Sequence, residues 1–152
     1  MEFKPIGIVH SPYKSKKDAP IQPRFSGEEA EIEVFEEFAE GLKDIEGFSH
    51  IWVLFHFHES EGYDLRTTPY LDDEERGVFA CRSPRRPNPI GQSLVKLIGR
   101  EGNFLRIKGL DMIDATPIID IKPYVNVFDE DEDVRIGWLE GRVHGGKVAR
   151  GG

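Results

Sequence analysis

Glycine and proline punctuate this chain so closely that no long helix fits between them. The 152 residues include 16 glycines and 10 prolines, spread from end to end. Each proline removes a backbone donor and restricts the residue before it, and glycine weakens helix and strand interiors. Between these breakers, apolar and polar residues alternate over short stretches, which is the period of a half-buried strand. The pattern predicts a mostly β fold, a single-domain β-barrel with short helical segments.

The clearest strand lies at residues 49–58, where every second residue is apolar. Ile51, Val53, Phe55 and Phe57 form one continuous face. The even positions carry a mixed set: His50, Trp52, Leu54, His56 and His58. Further strands are predicted over residues 3–8, 30–34, 77–81, 93–98, 104–110 and 116–121, with one short helix over 36–43. Residues 14–27 and 59–76 are predicted loops.

No internal repeat or linker divides the chain. We therefore expect one barrel domain over residues 1–144 and a flexible, glycine-rich tail over 145–152. The N-terminus has no basic segment followed by an apolar run, and no apolar stretch approaches the roughly 20 residues of a membrane helix. The single cysteine, Cys81, allows no internal disulfide, which fits a reducing compartment. These features predict a cytoplasmic protein.

Charge is distributed unevenly along the sequence. The net charge is −8, yet residues 82–108 contain seven bases and one acid, whereas residues 26–78 contain 16 acids and three bases. An acidic body disfavours nucleic acid, but a concentrated basic segment can still bind a phosphate backbone locally. The alternative is that these charges form an ordinary solvated surface.

The most unusual stretch is Arg82-Ser83-Pro84-Arg85-Arg86-Pro87-Asn88-Pro89-Ile90-Gly91. Three prolines stiffen it, so it loses little conformational entropy when it binds a partner. Its three guanidinium groups suit carboxylates or phosphates. The alternative is a surface loop that is stiff for stability alone.

A second distinctive stretch covers residues 111–124. Asp120 and Lys122 alternate with Ile119 and Ile121, so they are predicted to share one face of a strand. A carboxylate among so many apolar residues is costly unless it is paired or hydrogen-bonded. Asp120 is therefore either a ligand-binding group or half of a structural ion pair. The histidine pair at positions 56 and 58 lacks a third ligand at metal spacing, and we expect no metal.

Five motifs, in chain order from about residue 3 to 143, resemble the TsaA/TrmO-like family. They are Ile6-Gly7 with Ser11-Pro12-Tyr13; Gly47-Phe48-Ser49-His50-Ile51-Trp52-Val53-Leu54-Phe55; Gly77-Val78-Phe79-Ala80 with Arg82-Ser83-Pro84; Arg86-Pro87-Asn88-Pro89-Ile90-Gly91; and Asp114-x-Thr116-Pro117 with Asp120-Ile121-Lys122-Pro123-Tyr124. The resemblance implies a homodimeric β-barrel that binds S-adenosyl-L-methionine. The activity it implies is tRNA (adenine-N6)-methyltransfer, on the threonylcarbamoyl-modified adenosine just 3′ of the anticodon.

The resemblance also implies roles for individual residues. Cofactor contacts fall on Pro20, Ile21, Gln22, His58, Glu59, Arg82, Gln92, Asp114, Ala115, Thr116 and Pro117. We expect Asn88 or Asp120 to accept a hydrogen bond from the adenine amine, Tyr124 to stack on the base, and RNA contacts from Arg85, Arg86 and Lys122. Three positions depart from the family pattern: Ile21 stands where Arg is common, Cys81 where Thr is common, and Ala115 where Gly is common.

Two other functions remain open at this point. One is a cofactor-binding or RNA-binding barrel without catalysis, and the other is a methyltransferase acting on a small molecule, which the acidic body favours. For the dimer, the even face of residues 49–58, with Trp52 and the histidines, is the predicted contact surface, because it is neither fully apolar nor fully polar.

Overall fold

The computed structural model describes residues 1–13, 28–144 and 147–148. They fall into two compact units, which we call the barrel (Met1–Glu59 and Pro89–Tyr124) and the second unit (Ser60–Asn88 and Val125–Gly152). The described strands are β1 Gly7–His10, β2 Glu29–Val34, β3 His50–His56, β4 Arg66–Thr67, β5 Arg76–Gly77, β6 Ile90–Glu101, β7 Phe104–Lys108, β8 Pro117–Pro123, β9 Val143–His144 and β10 Lys147–Val148. Helical segments are short: 3-10 turns at Glu36–Leu42, Ile45–Gly47, Val78–Ala80 and Gly137–Leu139, and α1 at Asn126–Asp129.

Six strands close into a barrel in the order β1-β2-β7-β6-β3-β8, and β8 pairs back with β1. Every neighbouring pair is antiparallel. Closure removes the exposed strand edges that an open sheet of this size would present. The predicted mostly β barrel with short helical segments is confirmed.

The barrel interior is filled by the residues whose alternation predicted it. Ile51 and Val53 of β3 are fully buried, as are Ile32, Leu105 and Ile107 on the neighbouring strands. Each such side chain stabilises the fold by about 1.5–3 kcal/mol through removal of apolar surface from water. The opposite residues of β3 therefore point outward, which fixes the face that Trp52 and Leu54 present.

A β-bulge in β8 determines which of its side chains point outward. Leu54 pairs with Asp120 but the next residue, Phe55, pairs with Ile118, so Ile119 is the extra residue. Strict alternation cannot place both Ile118 and Ile121 inside, but the bulge allows Ile118 to be fully buried while Ile121 packs against the core. Bulges of this kind re-aim side chains next to sites.

Gly91 shows why the proline-rich motif ends in glycine. A Cβ atom at this position would overlap the rings of Phe55 and Phe57. These two rings pack edge to face with centroids 5.0 Å apart. Any larger residue would have to displace this pair, so β6 can start against the end of β3 only with glycine here.

One predicted strand is wrong. Residues 77–81 form a 3-10 turn over Val78–Ala80, in which the Cys81 amide donates to the Val78 carbonyl. The stretch looked like a strand because Val78 and Phe79 are both apolar, yet Val78 is buried and Phe79 is 76% exposed. The predicted helix over 36–43 is present as a 3-10 helix, and α1 was not predicted. The predicted loop at 14–27 lies outside the described residues.

A buried carboxylate organises the second unit. The Asp72 side chain is only 1% exposed and accepts a hydrogen bond from Arg76 Nε at 2.6 Å. Arg142 lies 3.4 Å from the same carboxylate and donates to the carbonyls of Leu71 and Trp138. The charged loop predicted at 59–76 is thus held to residues about 70 positions later in the chain.

Trp138 completes this arrangement. The Arg76 guanidinium lies 5.7 Å from the centre of its ring, a cation–π distance. The Trp138 indole N–H donates to the Ala80 carbonyl at 2.8 Å. Within the described part of the chain, no helix has the length and apolar character needed to cross a membrane.

Candidate functional site

One rim of the barrel gathers several residues that the sequence singled out. In the register, Phe55 lies opposite both Gly91 and Ile118, and Ile8 lies opposite Pro117. Because these strands are antiparallel, the ends of β1 and β3 meet the beginnings of β6 and β8 at the same place. We call this place the β3 rim.

The β3 rim carries three exposed polar side chains from the predicted cofactor set. His58 and Glu59 lie two and three residues after the end of β3, and Gln92 is the third residue of β6. The backbone here is held by the Phe57 amide, which donates to the Pro89 carbonyl, and by the His58 amide, which donates to the His56 carbonyl, each at 2.8 Å. The three side chains are thus presented to solvent on a fixed backbone.

Asp114 ties the turn before β8 to the segment that follows β1. Its carboxylate accepts the Ser11 amide at 2.9 Å, and its own amide donates to the Tyr13 carbonyl at 2.6 Å. The Tyr13 amide in turn donates to the Ser11 hydroxyl at 3.0 Å. Half-buried Asp114 therefore fixes the backbone at Ser11 and Tyr13.

The residues after Asp114 form a tight turn. Thr116 is buried and its hydroxyl donates to the Ile113 carbonyl at 2.8 Å. Ala115 has φ of +67°, the left-handed region that favours glycine, and its amide donates to the Val9 carbonyl at 2.9 Å. This geometry gives the physical reason for glycine at the Ala115 position of the family pattern.

A polar cleft of about 530 Å³ opens beside Asp114. Besides Asp114 its lining residues are His10, Ser11, Pro12, Glu29, Ala30, Glu31 and Arg106. Arg106 pairs with Glu29 at 3.5 Å, and the His10 ring bonds to Glu33 at 2.8 Å. The cleft is open to solvent and its lining is mainly charged, unlike the mostly apolar pockets that usually hold small molecules. Sequence reasoning did not identify His10 or Arg106.

The outer face of β8 carries the predicted Asp120 and Lys122. Their side chains form an ion pair at 2.9 Å and are 42% and 63% exposed, respectively. Asp120 also accepts the Ile121 amide at 2.9 Å. Gln92, Leu54 and Asp120 follow one another across β6, β3 and β8. The ion pair is real, but it is solvent-exposed, so Asp120 stays accessible to a ligand.

Tyr124 follows β8 directly and lies next to Trp52. Their ring centroids are 5.9 Å apart in an edge-to-face arrangement. The His50 ring lies 6.3 Å from Tyr124, and the Tyr124 amide donates to the His50 carbonyl at 3.1 Å. The structure therefore places Tyr124 in an aromatic cluster at the far end of β8 from the β3 rim.

The arginines of residues 82–88, which we call the arginine loop, differ in their engagement. Arg85 reaches Asp64 at 3.3 Å, with both side chains exposed. Arg86 donates to the carbonyls of Cys81, at 2.9 Å, and Ser83, at 3.2 Å. Arg82 is exposed and makes no hydrogen bond or ion pair within the described residues. Arg86 thus braces its own loop, whereas Arg82 is available to a ligand. Asn88 is exposed.

Sequence reasoning missed a hydrogen-bonded pair in the barrel, formed by buried Ser93 and half-buried Asp111. The Ser93 hydroxyl donates to Asp111 at 2.7 Å. Burial raises the pKa of Asp111 to about 6, although the Ser93 hydrogen bond opposes the shift. A signal was present in the sequence, because Ser93 occupies an inward position of an alternating strand and a buried hydroxyl needs a partner.

Pro20, Ile21 and Gln22 of the predicted cofactor set lie outside the described residues, and the other candidates are divided between the two units. Arg82, Arg85, Arg86 and Asn88 belong to the second unit, while the other described candidates belong to the barrel. Within the described ranges, no three His, Cys, Asp or Glu side chains are grouped to hold a metal ion.

Comparison with known proteins gives consistent matches. A family model described as the tRNA-methyltransferase O N-terminal domain matches residues 8–130. A protein of Pyrococcus abyssi named "Probable S-adenosyl-L-methionine-binding protein" is 55% identical over 97% of this chain and 81% of its own length.

A named tRNA methyltransferase and a solved TrmO structure match over a smaller share of their own length. The tRNA (adenine(37)-N6)-methyltransferase of Escherichia coli is 41% identical over 82% of this chain and 57% of its own length. The crystal structure of TrmO from Pseudomonas aeruginosa aligns with a TM-score of 0.77 at 38% identity, over 90% of this chain and 61% of that one. The chain thus spans less than two thirds of these two proteins.

Proposed function

Because the chain belongs to the tRNA-methyltransferase O N-terminal domain family, we propose that it transfers a methyl group from S-adenosyl-L-methionine to the N6 amine of an adenosine in tRNA. We further propose that the acceptor is the adenosine next to the anticodon, carrying a threonylcarbamoyl group. The observation that carries the proposal is the family match over most of the barrel, which includes the strands that build the β3 rim.

The residues present fit the proposed cofactor. S-adenosyl-L-methionine has a carboxylate, an ammonium group, a ribose diol and an adenine, and it supplies a methyl group on a sulfonium when bound. Arg82 is exposed and unengaged within the described part, as a carboxylate receptor should be. His58, Glu59, Gln92 and the turn of Asp114, Ala115, Thr116 and Pro117 offer polar groups for the rest. Pro20, Ile21 and Gln22 stay in the proposal through the resemblance alone.

The adenine amine is a weak nucleophile because its lone pair is delocalised, so positioning contributes more than a strong base. We assign Asp120 to accept a hydrogen bond from this amine, and the Ile121 amide, which donates to the Asp120 carboxylate at 2.9 Å, holds it in place. Asn88 is the alternative acceptor. Tyr124 stacks on the base in this proposal, next to Trp52.

RNA contacts are assigned to Arg85 and Lys122, which are exposed cations on ion pairs that a phosphate can replace. Arg86 is a further proposed RNA contact, and its guanidinium also donates to two carbonyls of its own loop. The working form we propose is a cytoplasmic homodimer whose domain spans residues 1–144.

A second candidate is a barrel that binds S-adenosyl-L-methionine without transferring its methyl group. It is favoured by the relative from Pyrococcus abyssi, which matches over most of its length and is named for binding only. A methyltransferase for a small molecule is the third reading, favoured by the net charge of −8.

Transfer of tritium from labelled S-adenosyl-L-methionine to tRNA tests the proposal. We expect label in tRNA that already carries the threonylcarbamoyl group and none in unmodified tRNA, with the product identified by nucleoside mass spectrometry. Asp120→Asn should lose most of the activity while Asp73→Asn, at an exposed acid of the second unit, should retain it. Cofactor binding without label in any tRNA would favour the binding barrel.

The salt dependence of tRNA affinity separates RNA from small-molecule substrates. Each phosphate contact contributes a slope of roughly −0.7 to −0.9 in log affinity against log salt concentration. We expect fluorescence anisotropy to give a steep slope for the wild type. In Arg85→Ala and in Lys122→Ala the slope should be shallower by about the value of one phosphate contact. Affinity that does not change with salt would contradict the tRNA assignment.

A further inference from the structure

The arginine loop is held in one shape before any ligand binds. Arg86 donates to the carbonyls of Cys81 and Ser83, and the Ser60 hydroxyl donates to the Pro84 carbonyl at 3.2 Å. Two prolines, Pro84 and Pro87, restrict the backbone between these contacts. The backbone on both sides of Ser83 is therefore fixed.

The Ser83 hydroxyl is the exception in this bonded loop. It is buried, and it has no hydrogen-bond partner in the described part of the chain. A buried hydroxyl without a partner costs free energy, and folded proteins leave few of them. Arg86 uses the carbonyl of the same residue, so the brace fixes Ser83 without satisfying its side chain.

Ser83 is adjacent in sequence to Arg82, the arginine of this loop that has no partner among the described residues. Arg82 makes no ion pair within the described residues, whereas Arg85 bonds to Asp64 and Arg86 to backbone carbonyls. A guanidinium group and a hydroxyl group are both donors, and a carboxylate accepts several hydrogen bonds at once. The two unsatisfied donors of the loop match one such ligand.

We propose that the Ser83 hydroxyl binds the carboxylate of S-adenosyl-L-methionine together with Arg82, and that Arg86 is the positioning residue that holds Ser83 for this contact. The proposal rests on the proposed function. A serine hydroxyl moves by one rotation about χ1, so a carboxylate on Arg82 draws Oγ into a hydrogen bond. The cost of the unsatisfied hydroxyl in the free protein is then offset on binding.

Ser83→Ala is the direct test, read by calorimetric titration and by the melting temperature of the ligand-free protein. We expect affinity for S-adenosyl-L-methionine to fall by about tenfold, the effect of one lost hydrogen bond to a charged group. The melting temperature should stay the same or rise, because the variant removes an unsatisfied polar group. A lower melting temperature with unchanged affinity would show that Ser83 is only structural.

Decarboxylated S-adenosylmethionine locates the contact. The wild type should bind it more weakly than S-adenosyl-L-methionine, and Ser83→Ala should bind it as well as the wild type does. Arg86→Lys keeps the charge but loses the hydrogen bonds to the Cys81 and Ser83 carbonyls. Like Ser83→Ala, it should therefore discriminate less between S-adenosyl-L-methionine and the decarboxylated form. Asp73→Asn, at an exposed acid of the second unit, is the control and should keep the full preference. Ser83→Cys, with a weaker donor, replaces Ser83→Ala if that variant folds poorly.

The outcomes separate this inference from the function on which it rests. A wild type that binds neither ligand would remove the proposed cofactor itself. The second case is a wild type that binds S-adenosyl-L-methionine more tightly than the decarboxylated form. If Ser83→Ala then shows the same difference in affinity, the role of Ser83 is overturned and the cofactor assignment stands.

Discussion

At the scale of single residues, Ala115 is an alanine in a backbone conformation that favours glycine. Its φ of +67° places an L residue with a Cβ atom in the left-handed region, at the turn that carries Asp114 and Thr116. The resemblance showed that glycine is common there, but only the structure gives the reason. The chain keeps the turn at this site despite the strain.

Ala115→Gly should stabilise the protein by about 0.5–1 kcal/mol. Release of the left-handed strain is worth roughly 1–2 kcal/mol, and the extra freedom of glycine in the unfolded chain cancels about half of it. Urea denaturation measures the change. Ala80→Gly is the matched control, since Ala80 lies in an ordinary 3-10 turn and should lose stability. Equal losses in both variants would contradict the strain argument.

Asp111 makes stability depend on pH in a direction opposite to that of most carboxylates. Its pKa of about 6 lies above the ordinary value of 3.8, so the folded protein disfavours the charged form. The folded protein favours the protonated form of Asp111, so this group does not reduce the free energy of unfolding below pH 3.8. The free energy of unfolding then falls as the pH rises from 3.8 to about 6. Above that, the charged group costs at most about 3 kcal/mol.

Asp111→Asn should therefore raise the melting temperature at pH 8 and leave it nearly unchanged at pH 4. Asparagine still accepts the Ser93 hydrogen bond, so the barrel contact is preserved. Glu132→Gln, at an exposed position, should change neither value. A stabilisation of the same size at both pH values would show that burial does not shift this carboxyl group.

At the scale of secondary-structure elements, Asp72 holds the second unit together. Burial alone would raise its pKa, but the hydrogen bond from Arg76 and those from the Asp73 and Glu74 amides outweigh it and hold the pKa below its ordinary range. The carboxylate therefore contributes stability above its ordinary pKa, and this is lost as the pH falls. Arg76 and Arg142 both contact this one charge, and Arg76 also lies 3.3 Å from Glu74.

Asp72→Asn should loosen the second unit, because Arg142 loses the charge that it contacts and Arg76 retains only the exposed Glu74. We expect faster proteolysis within residues 60–88 and 125–142, and a change in the fluorescence of Trp138. Asp73→Asn, whose side chain is exposed, is the control and should resist protease as the wild type does. Unchanged proteolysis in Asp72→Asn would show that the Asp72 charge is not what holds these segments.

The elements differ in how far the sequence could predict them. Residues 50–56 were predictable because one face is buried and alternation reports burial directly. The bulge at Ile119 was not, since neighbouring apolar residues hide which of them is extra. The 77–81 segment was misread for a related reason: two adjacent apolar residues resemble a strand whether or not a partner strand exists.

The same limit applies to the site. Motifs predicted that Asp120 and Lys122 share a face, because spacing within one strand fixes that. The contacts of Asp72 with Arg142 and of Ser93 with Asp111 join residues far apart in sequence, and no local pattern encodes them. The sequence shows the charge of Arg86 but not the two carbonyls that it bonds, and its contact with RNA stays a prediction.

At the scale of the whole molecule, the family resemblance is confirmed by the match over residues 8–130. Fold and family were predictable because the motifs that build the β3 rim are long and occur in order. The domain boundary at residue 144 stays a prediction. So does the homodimer, whose contact surface we predict on the outer face of β3.

The outer face of β3 has the composition of a protein contact. Trp52 and Leu54 are half-buried there, Leu94 lies opposite Trp52, and Ile90 opposite His56 is 39% exposed. A two-fold contact repeats one patch on both subunits, so a single self-complementary strip is sufficient. His50 and His56 at its ends supply the polar rim expected of such an interface.

Light scattering at micromolar concentration should give about twice the 17.3 kDa mass of one chain. Leu54→Arg places a charge at the centre of the strip without entering the core, so it should yield a folded monomer with unchanged far-ultraviolet circular dichroism. Glu31→Lys, on the outer face of β2, is the control and should stay dimeric. A wild type near 17.3 kDa would exclude the dimer. A Leu54→Arg variant of double mass would move the contact to another face.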